Sequence, residues 1–231
     1  MEDLIKLVEN YRAPRVAIDV VKKMKIMLLA GITGAGKNSI GIKLLESGDY
    51  VNIVTTIPRA PRPQEQNGVD YYFINNEQVK ENLLNHEYFE AKIVHGRVYG
   101  TTTAELERIA TQSKIALADI NVEGVDEYYA IAGDNLTAIF LIPSDYETWY
   151  ERLFTRMKFS DEEFARRIQS AIMEIKHALN RDYYHFVIND DLDETVKLVD
   201  KIIHNKAAGY NDSAARTVAK NLLDEIIART K

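Results

Sequence analysis

The chain has 231 residues, a formal net charge of −6, no cysteine and 46% hydrophobic residues, enough for one full domain with a core of its own. The lack of cysteine excludes disulfides and thiolate metal sites and suits a reducing compartment, while the acidic balance argues against general nucleic-acid affinity, which needs a basic face. No apolar run approaches the roughly 20 residues of a bilayer span, and the opening MEDLIKLVEN is not a signal peptide, so a soluble, cytoplasmic protein with no membrane partner is expected.

Residues 1–24 read as helical. Leu4, Ile5, Leu7, Val8 and Tyr11 recur at helical spacing, Pro14 interrupts, and Val16 to Lys23 fit a second helix. These helices suit packing on the domain's flank, or else binding a partner. Lys25 to Ala30 is a short apolar run, read as a buried strand. Gly31-Ile32-Thr33-Gly34-Ala35-Gly36-Lys37-Asn38-Ser39 follows, and Ile40 to Leu45 reads as a helix. Strand, glycine-rich turn and helix are the setting of a phosphate-binding loop. Glycines let backbone N–H groups point at one centre. The helix N-terminus adds partial positive charge there, and Lys37 supplies a full one. The Walker A pattern asks for Ser or Thr after the lysine; Asn38 stands there, with Ser39 next.

Val51 to Thr56 is β-branched and predicts a strand. Three of the five prolines then fall within Ile57 to Glu65, a stiff segment carrying Arg59 and Arg62. Gly68 to Ile74 reads as turn and strand, and Asn75 or Asn76 caps a helix from Glu77 to Leu84. Phe89 to Val94 and Arg97 to Tyr99 predict a hairpin turning at His95-Gly96. Thr102 with Glu105 predicts a capping box opening a helix through Ala110. Ile115 to Ile120 is a second buried strand with Asp119 near its end, the place for a carboxylate that holds magnesium directly or through water.

Leu136 to Ile142 is a third buried strand, stopped by Pro143. Ser144 with Glu147 and Ser160 with Glu163 predict two more capping boxes. The first opens a helix through Leu153 that carries Arg152, with Arg156 just beyond; the second opens a long helix with Arg166 and Arg167 in its first turns. Cations there oppose the helix dipole, which suggests another use for them. Tyr184 to Ile188 is a last strand ending at Asn189-Asp190-Asp191, Glu194 to Ile203 a helix, and Ala214 to Thr230 an amphipathic helix at the C-terminus. The alternation predicts an α/β fold with a mainly parallel sheet flanked by helices, interrupted over about 57–103 by a small α+β insertion.

The residues also match a family. The series Arg59-x-x-Arg62-x-x-Glu65-x-x-Gly68-x-x-Tyr71-x-Phe73 is followed in order by Phe89-Glu90, Tyr99-Gly100-Thr101, Asp119-Ile120, Arg152-Leu153, Arg156, Arg167 and Asn189-Asp190-Asp191. Together with the phosphate loop, this resembles guanylate kinase, a P-loop nucleoside monophosphate kinase. The resemblance implies a P-loop NTPase-type core over 25–205, with a nucleotide-monophosphate-binding insertion at about 57–103 and a helical lid at about 152–168. The helical extensions, 1–24 and 206–231, lie outside it.

The resemblance implies ATP as co-substrate, Mg2+, and transfer of the γ-phosphoryl group of ATP to GMP. ATP would lie on Gly31, Thr33, Gly34, Ala35, Gly36, Lys37, Asn38 and Ser39, with Asn189 near the adenine. Lys37, Arg152, Arg156 and Arg167 would surround the transferring phosphoryl group. Arg59, Arg62, Tyr71 and Tyr99 would hold the GMP phosphate, since arginine forks match phosphate oxygens. Glu90 would accept from guanine N1–H and the exocyclic amine, which adenine cannot offer together; Thr101 and Thr55 would complete the base pocket. Asp119 and Asn38 would serve the metal. The chain departs from the family pattern at Asn38 (usually a small residue), at Ile57-Pro58 (usually Thr-Thr) and at Gln64 (usually Gly). Two other readings remain: a related phosphotransferase with a different nucleoside monophosphate or a phosphosugar as acceptor, and a non-catalytic guanylate-kinase-like binding module. The oligomeric state is not legible.

Overall fold

The computed structural model describes residues 2–94, 96–156, 159–205 and 209–230, without the side chains of Glu2 and Arg156. In chain order the elements are α1 (Glu2–Asn10), α2 (Arg15–Val21), β1 (Ile26–Gly31), α3 (Lys37–Glu46), β2 (Tyr50–Asn52), β3 (Thr56–Ile57), β4 (Tyr72–Phe73), α4 (Asn76–Leu84), β5 (Tyr88–Val94) and β6 (Arg97–Thr102). There follow α5 (Thr103–Ala110), β7 (Ile115–Asp119), α6 (Val122–Ala132), β8 (Leu136–Ile142), α7 (Tyr146–Arg156), α8 (Asp161–Leu179), β9 (Tyr184–Ile188), α9 (Leu192–His204) and α10 (Ser213–Arg229).

The strands form a five-stranded sheet, in the order β2-β7-β1-β8-β9, and a four-stranded sheet, in the order β4-β3-β6-β5. The first is the expected mainly parallel sheet, with β8 parallel to both β1 and β9. Every residue of β1 is buried, as befits a parallel strand covered on both faces. The insertion is the α+β element expected, built on the antiparallel β5–β6 hairpin. His95 of its predicted turn lies outside the described residues.

The described chain divides into two compact units. One comprises Met1–Lys25, Val51–Ala116 and Ile131–Asn135, the other Ile26–Tyr50, Leu117–Ala130 and Leu136–Lys231. In the first, α1 packs on α4 and β5, and α2 on α5. In the second, α3 and α8 pack on β1, and α9 and α10 on β9. There the C-terminal extension covers an open sheet edge. The Tyr210 hydroxyl donates to Phe186 O at 2.6 Å, and Phe186 N donates to Asp212 Oδ2 at 3.1 Å. Arg216 donates to Tyr184 O at 2.7 Å. An uncovered edge strand is a template for aggregation, and these side chains blunt it.

Three local expectations are corrected. The predicted strand Val51 to Thr56 is split: β2 and β3 belong to different sheets, because Val54 N donates to the Glu105 carboxylate at 2.9 Å instead of joining a ladder. Thr102 does cap α5, but Glu105 does not reciprocate; it is 2% exposed and accepts from Val54 N, the Tyr72 hydroxyl and Arg108. At α7, Asp145 replaces Ser144 as the cap, its carboxylate accepting from Thr148 N at 2.7 Å.

Gly31 fixes the close approach of two strands. It sits at φ 139° opposite Leu141, and a Cβ there would lie 2.3 Å from Leu141 O. Gly31→Ala is expected to cost about 4 kcal/mol from backbone strain and overpacking, lowering the melting temperature by about 10 °C. A calorimetric shift under about 2 °C would contradict this reading.

Candidate active site

In the second unit, β1 delivers the chain to the glycine loop and α3 leaves it. Gly34 and Gly36 have φ of 89° and 91°, conformations glycine adopts without a Cβ penalty. Two side chains, both distant in sequence, pin the loop. Trp149 Nε1 donates to Thr33 O at 2.8 Å, and Asn189 Nδ2 donates to Ala35 O at 2.8 Å. Both are buried. A Cβ on Gly36 would come within 2.1 Å of Asn189 Nδ2, so loop and anchor fit closely. Asn189 thus lies beneath the loop, and its carbonyl accepts from Arg152 at 2.7 Å.

Gly34, Gly36, Ser39, Arg152, Asn189 and Asp190 line a cleft of about 340 Å³, within the range of small-ligand sites. Lys37, the first residue of α3, donates from Nζ to Gly31 O at 2.6 Å. Asn38 is exposed beside it. Asp119 ends β7. It reaches solvent, yet the protein packed around its carboxyl raises its pKa, and the Lys37 charge pulls it back. Glu174, on α8, shares this field: burial raises its pKa, while the Ser170 hydroxyl, donating at 2.7 Å, and Lys37 lower it.

Arg167 pairs with Glu163 at 2.8 Å and lies 4.4 Å from the Phe159 ring centre. Its Nε is buried with no hydrogen-bond partner among the described residues. Arg156 ends α7, and its side chain lies outside the described residues, as do residues 157–158 of the predicted lid.

The first unit holds the other set of predicted residues. Arg59 makes a two-pronged bond to Glu65, at 2.5 and 2.7 Å, and lies over the rings of Tyr71 and Phe73. This pairing, with a bond from Arg62 N, holds the Glu65 carboxyl down at about 2. Arg62 itself is exposed. The Tyr71 and Tyr99 rings meet edge-on at 6.1 Å. On the hairpin, Glu90 lies directly opposite Thr101 and accepts from its amide at 3.1 Å and its hydroxyl at 2.7 Å. Thr55 is half-buried, and its carbonyl accepts from Tyr72 N at 2.9 Å. The departing Ile57 is fully buried on β3, so an apolar contact takes the place of the usual threonine.

Sequence reasoning missed Trp149, Glu105 and Glu174. Trp149 and Glu174 belong to no local motif that announces them, and the Thr102–Glu105 pattern pointed to a capping box rather than to the contacts that Glu105 makes; Trp149 being the sole tryptophan was the one available cue. A groove of about 620 Å³ lined by Arg15, Lys23, Met24, Lys25, Ile109 and Lys114 contains none of the predicted site residues.

Comparison with known proteins gives one answer. The sequence pattern of the guanylate kinase family matches residues 23–206. A guanylate kinase from Anaeromyxobacter dehalogenans is 32% identical over 199 residues, covering 84% of this chain and 88% of that one. A guanylate kinase from Rickettsia bellii is 31% identical over 179 residues, covering 77% and 92%. The crystal structure of guanylate kinase from Anaplasma phagocytophilum superposes with a TM-score of 0.61 at 26% identity, covering 80% of this chain and 87% of that one. A glycine loop, its lysine and an acceptor signature, each folded in its own unit, thus coincide with a match across most of the sequence: the chain belongs to the guanylate kinase family.

Proposed function

We propose that the chain is a guanylate kinase that transfers the γ-phosphoryl group of ATP to GMP, yielding ADP and GDP. The observation that carries the acceptor is the Glu90–Thr101 pair. Thr101 orients the Glu90 carboxylate with two hydrogen bonds, and a fixed carboxylate accepts from N1–H and the amine of guanine together. Adenine would set a lone pair against it, an unpaired contact that costs enough to discriminate strongly.

In the reaction, a phosphate oxygen of GMP attacks the γ-phosphorus while the bond to the β,γ-bridging oxygen breaks, and ADP leaves with that electron pair. The transition state needs positioning and charge stabilisation more than covalent help. Arg59 and Arg62, with the Tyr71 and Tyr99 hydroxyls, hold the acceptor phosphate; Glu65 sets the plane of the Arg59 guanidinium. Lys37 and the loop amides hold the ATP phosphates, with Thr33, Gly34, Ala35, Gly36, Asn38 and Ser39 contributing and Asn189 fixing the loop. Arg152, Arg156 and Arg167 complete the charge around the transferring group, the Arg167 Nε, without a partner among the described residues, being a donor in reserve.

Magnesium fits the donor set. Asp119 and Asn38 offer hard oxygens, the donor type that this ion takes beside waters and phosphate oxygens. When bound, it would neutralise charge on the β- and γ-phosphates. The same proposal gives a kinase domain over 25–205 with insertion at 57–103 and lid at 152–168, extensions at 1–24 and 206–231, and a cytoplasmic location; among the described residues no helix is long and apolar enough to cross a membrane.

A coupled ADP-release assay with GMP, dGMP, AMP, UMP and CMP tests the acceptor. GMP is expected to exceed AMP in kcat/KM by about 10³-fold or more. Equal use of all five would exclude guanine recognition, and failure to bind ATP would favour a non-catalytic module.

A further inference from the structure

Tyr11 lies in the N-terminal extension, ahead of the segment that matches the family, which begins at residue 23. Its hydroxyl donates to Tyr88 O at 2.6 Å and accepts from Tyr88 N at 2.9 Å. One phenol thus engages both backbone polar groups of a single β5 residue. Burial raises the Tyr11 pKa, so the hydroxyl keeps the proton it donates.

Tyr88 stands where the β5–β6 register shifts. Tyr88 faces Thr102, while Glu90 faces Thr101. Two steps along β5 match one along β6, which is a β-bulge. A regular ladder would place Glu90 opposite Gly100 and turn Thr101 to the other face, since side chains alternate with period two. The bulge puts Glu90 and Thr101 on one face, where they bond. Bulges re-aim side chains in this way beside functional sites.

The contact is built rather than incidental. Leu4 joins Val79, Leu83, Tyr88 and Val98 in a buried cluster, with Leu7, Val8 and Tyr11 packed against it. The rings of Tyr11 and Tyr88 meet edge-on at 6.2 Å. Tyr88 is fully buried, its own hydroxyl within 3.1 Å of Thr56 Oγ1. Loss of the Tyr11 hydroxyl would therefore leave polar backbone groups underserved in an apolar setting.

We infer that Tyr11 is a positioning residue for acceptor recognition: by clamping the backbone of Tyr88 it holds the β5 bulge that aims Glu90 at the base, so the N-terminal extension is part of the guanine pocket's support. This rests on the reading of Glu90 given above.

The experiment compares Tyr11→Phe with Leu4→Ala, which loosens the same cluster but leaves the Tyr11 hydroxyl in place. In Tyr11→Phe the KM for GMP is expected to rise about tenfold as both hydrogen bonds of the hydroxyl to the Tyr88 backbone are lost, with ATP affinity and kcat within about twofold. Combined with Glu90→Ala, the Phe substitution should add nothing, because the two act through one contact. Amide exchange across residues 88–90 and at Thr101 should accelerate in Tyr11→Phe and not in Leu4→Ala. Unchanged exchange in Tyr11→Phe overturns the inference whatever the acceptor proves to be, and so does an equal KM rise in Leu4→Ala. Faster exchange in a protein whose wild type shows no guanine preference would uphold the clamp and sink the acceptor reading instead.

Discussion

Glu90→Gln is expected to lower kcat/KM for GMP by about 10³-fold or more while leaving ATP binding intact. Glutamine keeps the size of the side chain and one oxygen, which still accepts from the Thr101 amide and hydroxyl as Glu90 does at 3.1 and 2.7 Å. The hairpin should therefore survive. What changes is the second terminal atom, which becomes a donor. Guanine offers two adjacent donors, so one would face another donor, and neither would be satisfied in a site from which water is displaced. The charge is lost too, and hydrogen bonds to a charged acceptor are roughly twice as strong as neutral ones. Acceptor kinetics and an ATP titration on the same preparation decide it. A fall below about tenfold would show that Glu90 does not read the base, and an equal loss of ATP binding would point to misfolding.

Lys37→Met should reduce kcat by about 10³-fold at saturating substrates, with GMP affinity nearly unchanged. Methionine retains the apolar stem, so α3 keeps its first turn. The ammonium charge at the base of the loop, however, is lost. Lys37 is the cation whose field lowers both Asp119 and Glu174, and removing it leaves those acidic groups facing the ATP phosphates uncompensated. The hydrogen bond to Gly31 O at 2.6 Å shows the ammonium held at the loop's base. Single-turnover measurements separate the chemical step from ATP binding. A loss under tenfold in that step would remove Lys37 from the transition state.

Both extensions treat the backbone in the same manner. Tyr11 serves Tyr88, and Tyr210 with Asp212 serves Phe186. Each supplies side-chain polar atoms to a strand residue, a bulge in one case and an open edge in the other.

The local code accounts for much of the molecule. The strands Leu136–Ile142 and Tyr184–Ile188 appear with the bounds that the apolar runs predict, because a buried parallel strand is apolar throughout. Ser160 caps α8, accepting from Glu163 N, though Glu163 pairs with Arg167 and does not close the predicted capping box. The glycine loop was legible because it needs its residues at fixed neighbouring positions, and the acceptor signature because its spacing is shared with a family.

Partnerships between residues far apart in sequence were not legible. Nothing around Glu105 says that its carboxylate satisfies Val54 and splits a predicted strand. Nothing around Trp149 or Asn189 says that they hold the phosphate loop by its carbonyls, and nothing around Tyr11 says that it clamps a bulge 77 residues away. By itself, the sequence determined most of the elements, the phosphate loop and the candidate residues for nucleotide recognition, since those depend on periodicity and short spacing. The tertiary structure alone decided which buried polar groups pair and hence how the loop and Glu90 are held, because each such bond is chosen by the cost of leaving a distant donor or acceptor unsatisfied.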